Sequence, residues 1–252
     1  MNTTNNTVLV TGGSAGIGFE IAKLFANNGN HVIITGRNKT RLQNAAAKLH
    51  NVTAIAADVT KEDDVKELVS RVKKEFSLLS IVVNNAGSAF YYTLDENAGA
   101  FAKAQEEILT NYLSIVRLNE QLLPVLKQQA EAAIVNVSSI VAFAGRHTLA
   151  TYAASKAALH SYTNSLRIFL QRNSNIKVFE LMPPLVNTAF SKEIGGEKGI
   201  APSVVAEDLL NSLETNNYEI HVGNTADFHK LYFSSPAEAL NVMNPVEQLV
   251  EA

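Results

Sequence analysis

Apolar positions along the chain fall into two kinds of run that alternate. The short kind is β-branched and almost continuously hydrophobic: TVLVT (Thr7–Thr11), HVIIT (His31–Thr35), VTAIA (Val52–Ala56), IVVN (Ile81–Asn84), AIVNVS (Ala133–Ser138), KVFELM (Lys177–Met182) and EIHV (Glu219–Val222). Strands buried on both faces read this way, so seven such runs predict one large sheet. Between them lie longer stretches with helical spacing, such as GIGFEIAKLFANNG (Gly16–Gly29) and KEDDVKELVSRVKKEF (Lys61–Phe76). Thr60 precedes the second, with Asp63 three residues on, the spacing of a capping box. Strand, helix and strand in repetition imply parallel strands joined by right-handed crossovers. The pattern lapses at 88–99, at 191–199 and after Gly223, and no Pro/Gly/Ser-rich linker divides the chain.

Composition narrows the setting. A chain of 252 residues, 46% hydrophobic and 18% charged, can bury a large core, and one domain over 1–252 is expected. The 24 acidic and 21 basic residues give a net charge of −3 without long runs of either sign, so neither nucleic acid nor an anionic membrane is an expected partner. There is no cysteine, which excludes disulfides and thiolate metal sites. No His/Asp/Glu grouping has metal-ligand spacing, so no metal is expected. The N-terminus MNTTNNTVLV is polar, and no apolar run nears the roughly 18 residues that span a bilayer. A soluble, cytoplasmic protein is the reading that follows.

The first strand runs into TGGSAGIG (Thr11–Gly18) and then into a helix. Glycines there let backbone approach a pyrophosphate, whose charge meets exposed N–H groups and the positive end of the helix dipole. Glycines also serve plain tight turns, but the flanking strand and helix favour a nucleotide cradle formed by Gly12, Ser14, Ala15, Gly16, Ile17 and Gly18. No Gly-Lys-Ser/Thr follows, which favours a dinucleotide over a nucleoside triphosphate. At the end of the second strand stand Gly36 and Arg37, where an NAD site usually places a carboxylate. A guanidinium in that place suits the 2′-phosphate of NADP, and Ser14 adds a hydroxyl to the same phosphate.

Four motifs in order, TGGSAGIG, NNAG (Asn84–Gly87), the serine of NVSS (Asn136–Ser139) and YAASK (Tyr152–Lys156), resemble the short-chain dehydrogenase/reductase family, in its subgroup with TGxxxGxG and YxxxK motifs. The resemblance covers Asn6 to about Val222. Within the family, NNTVLVTGGSAGIG, EAAIVNVSS, SKAALHSYTNSLR and MPPLVNT look most like the DltE-type oxidoreductases. It implies an α/β fold of Rossmann type: a doubly wound, parallel, seven-stranded sheet of order 3-2-1-4-5-6-7 flanked by helices, with a substrate lid near 190–202 and a tail after 223.

The resemblance also assigns roles. Tyr152 resembles the catalytic acid/base, and Lys156 its partner, which lowers the phenol's pKa and holds the nicotinamide ribose. Ser139, thirteen residues before the tyrosine, resembles the serine that binds the substrate oxygen. Asn111 in LTNYLS matches the helical asparagine that holds a proton-relay water. Asp58 in ADVT, with Val59 beside it, resembles the reader of the adenine; its alternative is a turn residue capping local backbone. Asn84, Asn85, Ala86 and Gly87 are expected beside the adenine ribose and at the sheet centre. Pro183, Val186 and Thr188 of PPLVNT are expected at the carboxamide, where Pro184 replaces the family's usual glycine. The implied activity is NADP(H)-dependent interconversion of ketones or aldehydes with alcohols. Rivals are an NAD(H)-preferring dehydrogenase, an acyl-thioester reductase and a cofactor-sensing regulator without turnover. A homo-oligomer, dimer or tetramer, is the expected assembly.

Three further segments stay open. FYYTL (Phe90–Leu94) reads as a substrate wall or as core. SKEIGGEKGIAP (Ser191–Pro202) reads as a mobile lid or a plain surface loop. His147 reads as a pocket residue or a solvated loop histidine, and His160 as packing along its helix.

Overall fold

The computed structural model describes residues 1–245. Seven strands, β1 (Thr7–Thr11), β2 (His31–Gly36), β3 (Val52–Ala56), β4 (Leu79–Asn84), β5 (Ala132–Val137), β6 (Ile176–Met182) and β7 (Glu219–His221), form one parallel sheet of order β3-β2-β1-β4-β5-β6-β7. The expected order is the observed one. Alternation along each strand divides the core in two. Val8, Val10, Val32 and Ile34 point to one face, where helices α1 (Gly16–Asn27) and α7 (Pro202–Thr215) cover them. Leu9, Ile33, Val82 and Ile134 point to the other, against α3 (Glu62–Glu75) and α5 (Ser114–Leu126). Burial on both faces is why the strand runs carry so few polar residues.

β1 is paired on one side with β2 and on the other with β4, so the chain crosses over there and leaves a crevice at the carboxyl ends of the strands. Helices α2 (Lys39–Ala46) and α6 (Ala150–Asn173) carry side chains to that crevice from its two ends, and α4 (Ala100–Ile108) packs against α6. β4 and β5 are registered with Asn84 opposite Asn136. These two buried amides pair, with Asn84 Nδ2 donating to Asn136 Oδ1 at 2.8 Å and to Asn119 Oδ1 at 2.9 Å. Asn136 Nδ2 in turn donates to Thr163 Oγ1 at 2.9 Å. The two strands and α5 and α6 are thus pinned together directly behind the crevice.

Two expectations fail locally. The capping box before α3 does not form: Thr60 Oγ1 donates to Asp58 Oδ1 at 2.7 Å and is spent there, Lys61 is the N-cap, and it has no side-chain cap bond. The stretch after Gly223, irregular in its hydrophobic pattern, forms two short helices, α8 (Thr225–Ser234) and α9 (Pro236–Met243). Pro236 starts the second with its fixed φ. Asn244 ties this tail back, accepting from the His147 N–H at 2.8 Å and donating to Gly145 O at 2.9 Å.

Candidate active site

The turn between β1 and α1 shows why glycine is needed. Gly12 and Gly16 have φ of +67° and +56°, in the left-handed region where L side chains are strained. Ala15, the N-cap of α1, makes no side-chain cap bond, so the first N–H groups of this helix are left for an anion. Gly18 acts differently from the cradle role expected of it. A Cβ there would fall 2.4 Å from Asn85 Nδ2 and 2.5 Å from Gly12 O, so its glycine lets α1 close on the NNAG turn and it does not line the crevice. Asn84 likewise supports the sheet centre through its amide and stays out of the crevice, while Asn85 Nδ2 donates to Thr11 O at 2.9 Å and steadies the turn.

A cavity of about 670 Å³ opens above this turn and runs the length of the crevice. Gly12, Ser14, Ala15, Gly16 and Ile17 line one end, with Arg37, Asp58 and Val59; Asn85, Ala86 and Gly87 line its middle. Ser139, Tyr152, Lys156, Pro183, Val186 and Thr188 line the other end. Thr188 reaches back over the glycine turn, so that a Cβ on Gly16 would lie 3.1 Å from its Cγ2. Asp58 caps local backbone, its Oδ1 accepting from the Thr60 N–H at 3.0 Å, and the residue also lines the cavity. At the end of β2 no acid intervenes. Arg37 and Arg41 both border the cavity, neither has an ion-pair partner among the described residues, and Ser14 Oγ lies near Gly36. A neighbouring pocket of about 520 Å³ is lined by Ser14, Asn38, Arg41 and Lys48. Arg41 was not singled out by sequence; its signal was a second arginine in the first turn of α2, whose cap is Asn38. A cradle of free N–H groups with cations and no carboxylate at the β2 end fits a dinucleotide.

At the catalytic end, the first turns of α6 present Tyr152, Ser155, Lys156 and His160. Lys156 is buried; its Nζ donates to Val137 O at 2.8 Å and lies 5.6 Å from the centre of the Tyr152 ring. Burial pushes the ammonium down to about 8, opposed by the carboxylate of Glu180. The phenol of Tyr152 moves against expectation. Burial raises its pKa, with hydrogen bonding to Ser139 working the other way and the Glu107 carboxylate adding to the rise, while the Lys156 ammonium is directed at Val137 O. Tyr152 is therefore held as the neutral, protonated phenol.

Asn111 does not sit on a regular helix. It lies in a π-turn (Leu109–Leu113) between α4 and α5, a distortion common at functional sites. Its side chain is fully committed: Oδ1 accepts from the Ser88 N–H at 2.8 Å, and Nδ2 donates to Ser88 O and Ser155 Oγ, each at 2.8 Å. Asn111 thus joins the NNAG turn to α6, while its neighbour Thr110, and not Asn111, borders the cavity. One turn earlier, the buried Glu107 accepts from the Phe90 N–H at 2.8 Å, and burial raises its pKa.

The open segments resolve into walls. Tyr91 lines the cavity, Tyr92 hydrogen-bonds Thr151 at 2.7 Å, and Leu94 is exposed, so FYYTL is cavity rim and surface, not core. Segment 191–202 folds as 3₁₀ turns (Ala189–Ile194 and Gly196–Lys198), with Phe190 6.2 Å from the Tyr152 ring. Phe228, Val242 and Met243 from α8 and α9 close the far side, a wall the hydrophobic pattern did not announce. His147 is exposed and held by Asn244. Against the expectation of no metal grouping, Glu219, His221 and His229 bring donor atoms within 4.8 Å of one another. The spacing was invisible because His229 arrives from α8. Glu219 is held by Arg167 at 3.0 Å, and the two imidazoles stack at 4.3 Å and 31°, which sets their in-plane lone pairs side by side and not on one point.

A doubly wound sheet, an uncapped glycine turn and a Ser-Tyr-Lys group at the far end of one cavity define a nicotinamide-dependent oxidoreductase class. The chain belongs to the short chain dehydrogenase family, whose model matches residues 6–199. An uncharacterized oxidoreductase, DltE of Bacillus subtilis, is 38% identical over 225 residues, 87% of this chain and 89% of that protein. A short chain dehydrogenase from Burkholderia cenocepacia, solved in complex with NADP, superposes with a TM-score of 0.84 at 24% identity, covering 96% of this chain and 98% of that one. A 3-ketoacyl-(acyl-carrier-protein) reductase from Brucella melitensis, solved with NADH, gives 0.76 at 28% identity, covering 84% and 91%. No helix among the described residues is long and apolar enough to cross a membrane.

Proposed function

We propose that the protein is an NADPH-dependent reductase of ketones and aldehydes, working reversibly in the cytoplasm. The observation that carries this reading is the convergence of Ser139, Tyr152 and Lys156 on one end of the cavity whose other end is the glycine turn. When bound, NADPH supplies the hydride. Tyr152, kept protonated by burial, hands its proton to the carbonyl oxygen. Ser139 holds the same oxygen as charge develops on it. Lys156 carries positive charge beside the ring and to the cofactor ribose. Preference for NADPH is supported by Arg37, Arg41 and Ser14 in place of a carboxylate. Closure of 190–202 over substrate is supported by Phe190, which stands exposed next to Tyr152. Exposed Leu113, Ile168 and Phe169 beside or on α6 support a homodimer or tetramer, to be read from the mass in solution.

The test is NADPH consumption across a panel of ketones and aldehydes, with 3-ketoacyl thioesters included because of the Brucella reductase. Turnover of simple carbonyls is expected. Tyr152→Phe should keep NADPH affinity and lose about 10²- to 10⁴-fold in kcat. Near-normal turnover in that variant overturns the assignment.

A further inference from the structure

One buried carboxylate near the site has no part in the proton transfer described so far. Glu180, on β6, is fully buried, and a charge in such a place needs partners. It has two. Ser138 Oγ donates to Oε1 at 2.5 Å, and His160 Nδ1 lies 2.9 Å from Oε2 and 3.1 Å from Oε1. Ser138 is the residue before Ser139, and His160 is one helical turn beyond Lys156, so the carboxylate reaches the strand and the helix that carry the site. His160 is braced in turn by Asn164 at 3.2 Å and by the edge of Phe143, with ring centres 5.4 Å apart.

We infer that Glu180 is a positioning residue for the active site: clamped by Ser138 and His160, it sets the end of β5 against α6 and brings a buried negative charge to the face of α6 that carries Lys156. The inference deepens the reading above and rests on its assignment of Lys156 to the cofactor ribose. Burial lowers the proton affinity of Lys156, and Glu180 is the group that opposes it. The hydrogen bond to Glu180 raises that of His160. One carboxylate therefore raises the proton affinity of two groups on α6. The other charged groups near the pair are Arg167 on α6, Glu219 and His221 on β7, and His229 on α8 across Phe143. Arg167 and Glu219 largely answer each other, at 3.0 Å, and burial lowers the pKa of His221, keeping it uncharged.

The experiment follows NADPH affinity by fluorescence from pH 6 to 10 in wild type, Glu180→Gln and Glu180→Asp, and the titration of His160 by NMR of ring-labelled, cofactor-free protein. Wild-type affinity should fall as pH rises through about 8, where Lys156 loses its proton. In Glu180→Gln, which preserves shape and removes charge, the fall should move to lower pH by about one unit. Glu180→Asp should move it back toward wild type, and His160 in Glu180→Gln should titrate below its wild-type midpoint. A uniform drop in affinity with the fall left at its wild-type pH overturns the inference. Should Glu180→Gln not fold, Lys156→Met gives the reciprocal measurement: freed of its competitor, the carboxylate should raise the His160 midpoint, and an unchanged midpoint overturns the inference equally. Carbonyl turnover enters none of these readouts, so a barren substrate panel would sink the proposed reaction and leave this test standing.

Discussion

Burial of Lys156, which the Glu180 carboxylate only partly offsets, carries a measurable cost. The folded state lowers the proton affinity of Lys156 to about 8 from an ordinary 10.5. Between those values the folded chain binds fewer protons than the unfolded one, so stability rises with pH through the window from 8 to 10.5. The full depression corresponds to about 3 kcal/mol, an upper figure for so buried a group. Lys156→Met removes the titration; in urea melts at pH 7 and pH 10, the variant's stability relative to wild type should decline at the higher pH. Arg37 and Arg41 make a second prediction at this scale. Each charge-assisted contact to a 2′-phosphate is worth a factor of about ten or somewhat more. Arg41→Ala should raise the KM for NADPH by about tenfold, leave that for NADH unchanged, and lose its effect in high salt, as exposed charges do. Arg37 was legible from its place at the strand end, Arg41 only once α2 showed which way its first turn faces. Glu180 and His160 were illegible as a pair, because they stand twenty positions apart and only the packing of a strand on a helix joins them.

Elements show a different limit. The strands were legible almost to the residue, since burial on both faces leaves a continuous apolar signature that needs no tertiary context. Helix starts were less so: Thr60 fits a cap in sequence, yet its hydroxyl found Asp58 first. The π-turn at Asn111 has no local signature, being imposed by the need to reach Ser88 and Ser155 at once. Gly18 marks where α1 and the NNAG turn meet, and Gly18→Ala should cost about 1–3 kcal/mol, as overpacking does, because the atoms its Cβ would strike are backbone and an anchored amide. Thermal or urea unfolding would check it. A silent substitution would mean that α1 can slide, against the tight approach described here.

At the scale of the whole molecule, cofactor and substrate are served by separate lengths of chain. The dinucleotide end is built from residues 12–87, with α6 supplying the chemistry, while much of the wall beyond Tyr152 comes from Phe190, Phe228, Val242 and Met243. Phe228→Ala should therefore change the KM for bulky carbonyls several-fold and leave NADPH affinity within twofold, in paired kinetic and binding titrations; this follows from a packing role of about 3–5 kcal/mol for a fully buried phenylalanine, only part of which faces substrate. Family motifs were legible because they bind what every member shares, whereas the wall is made by short helices whose pattern is weak.

The position of that wall in the chain has a consequence for synthesis and for engineering. The family match ends at residue 199, and α8 and α9 come after it, stapled to the rest through Asn244 on Gly145 and His147. The nucleotide end therefore leaves the ribosome before α8 and α9, and the wall beyond Tyr152 is the last part of the cavity to be synthesised. A graft of a foreign tail after Gly223 would then exchange the clientele of the catalyst without rewriting its machinery.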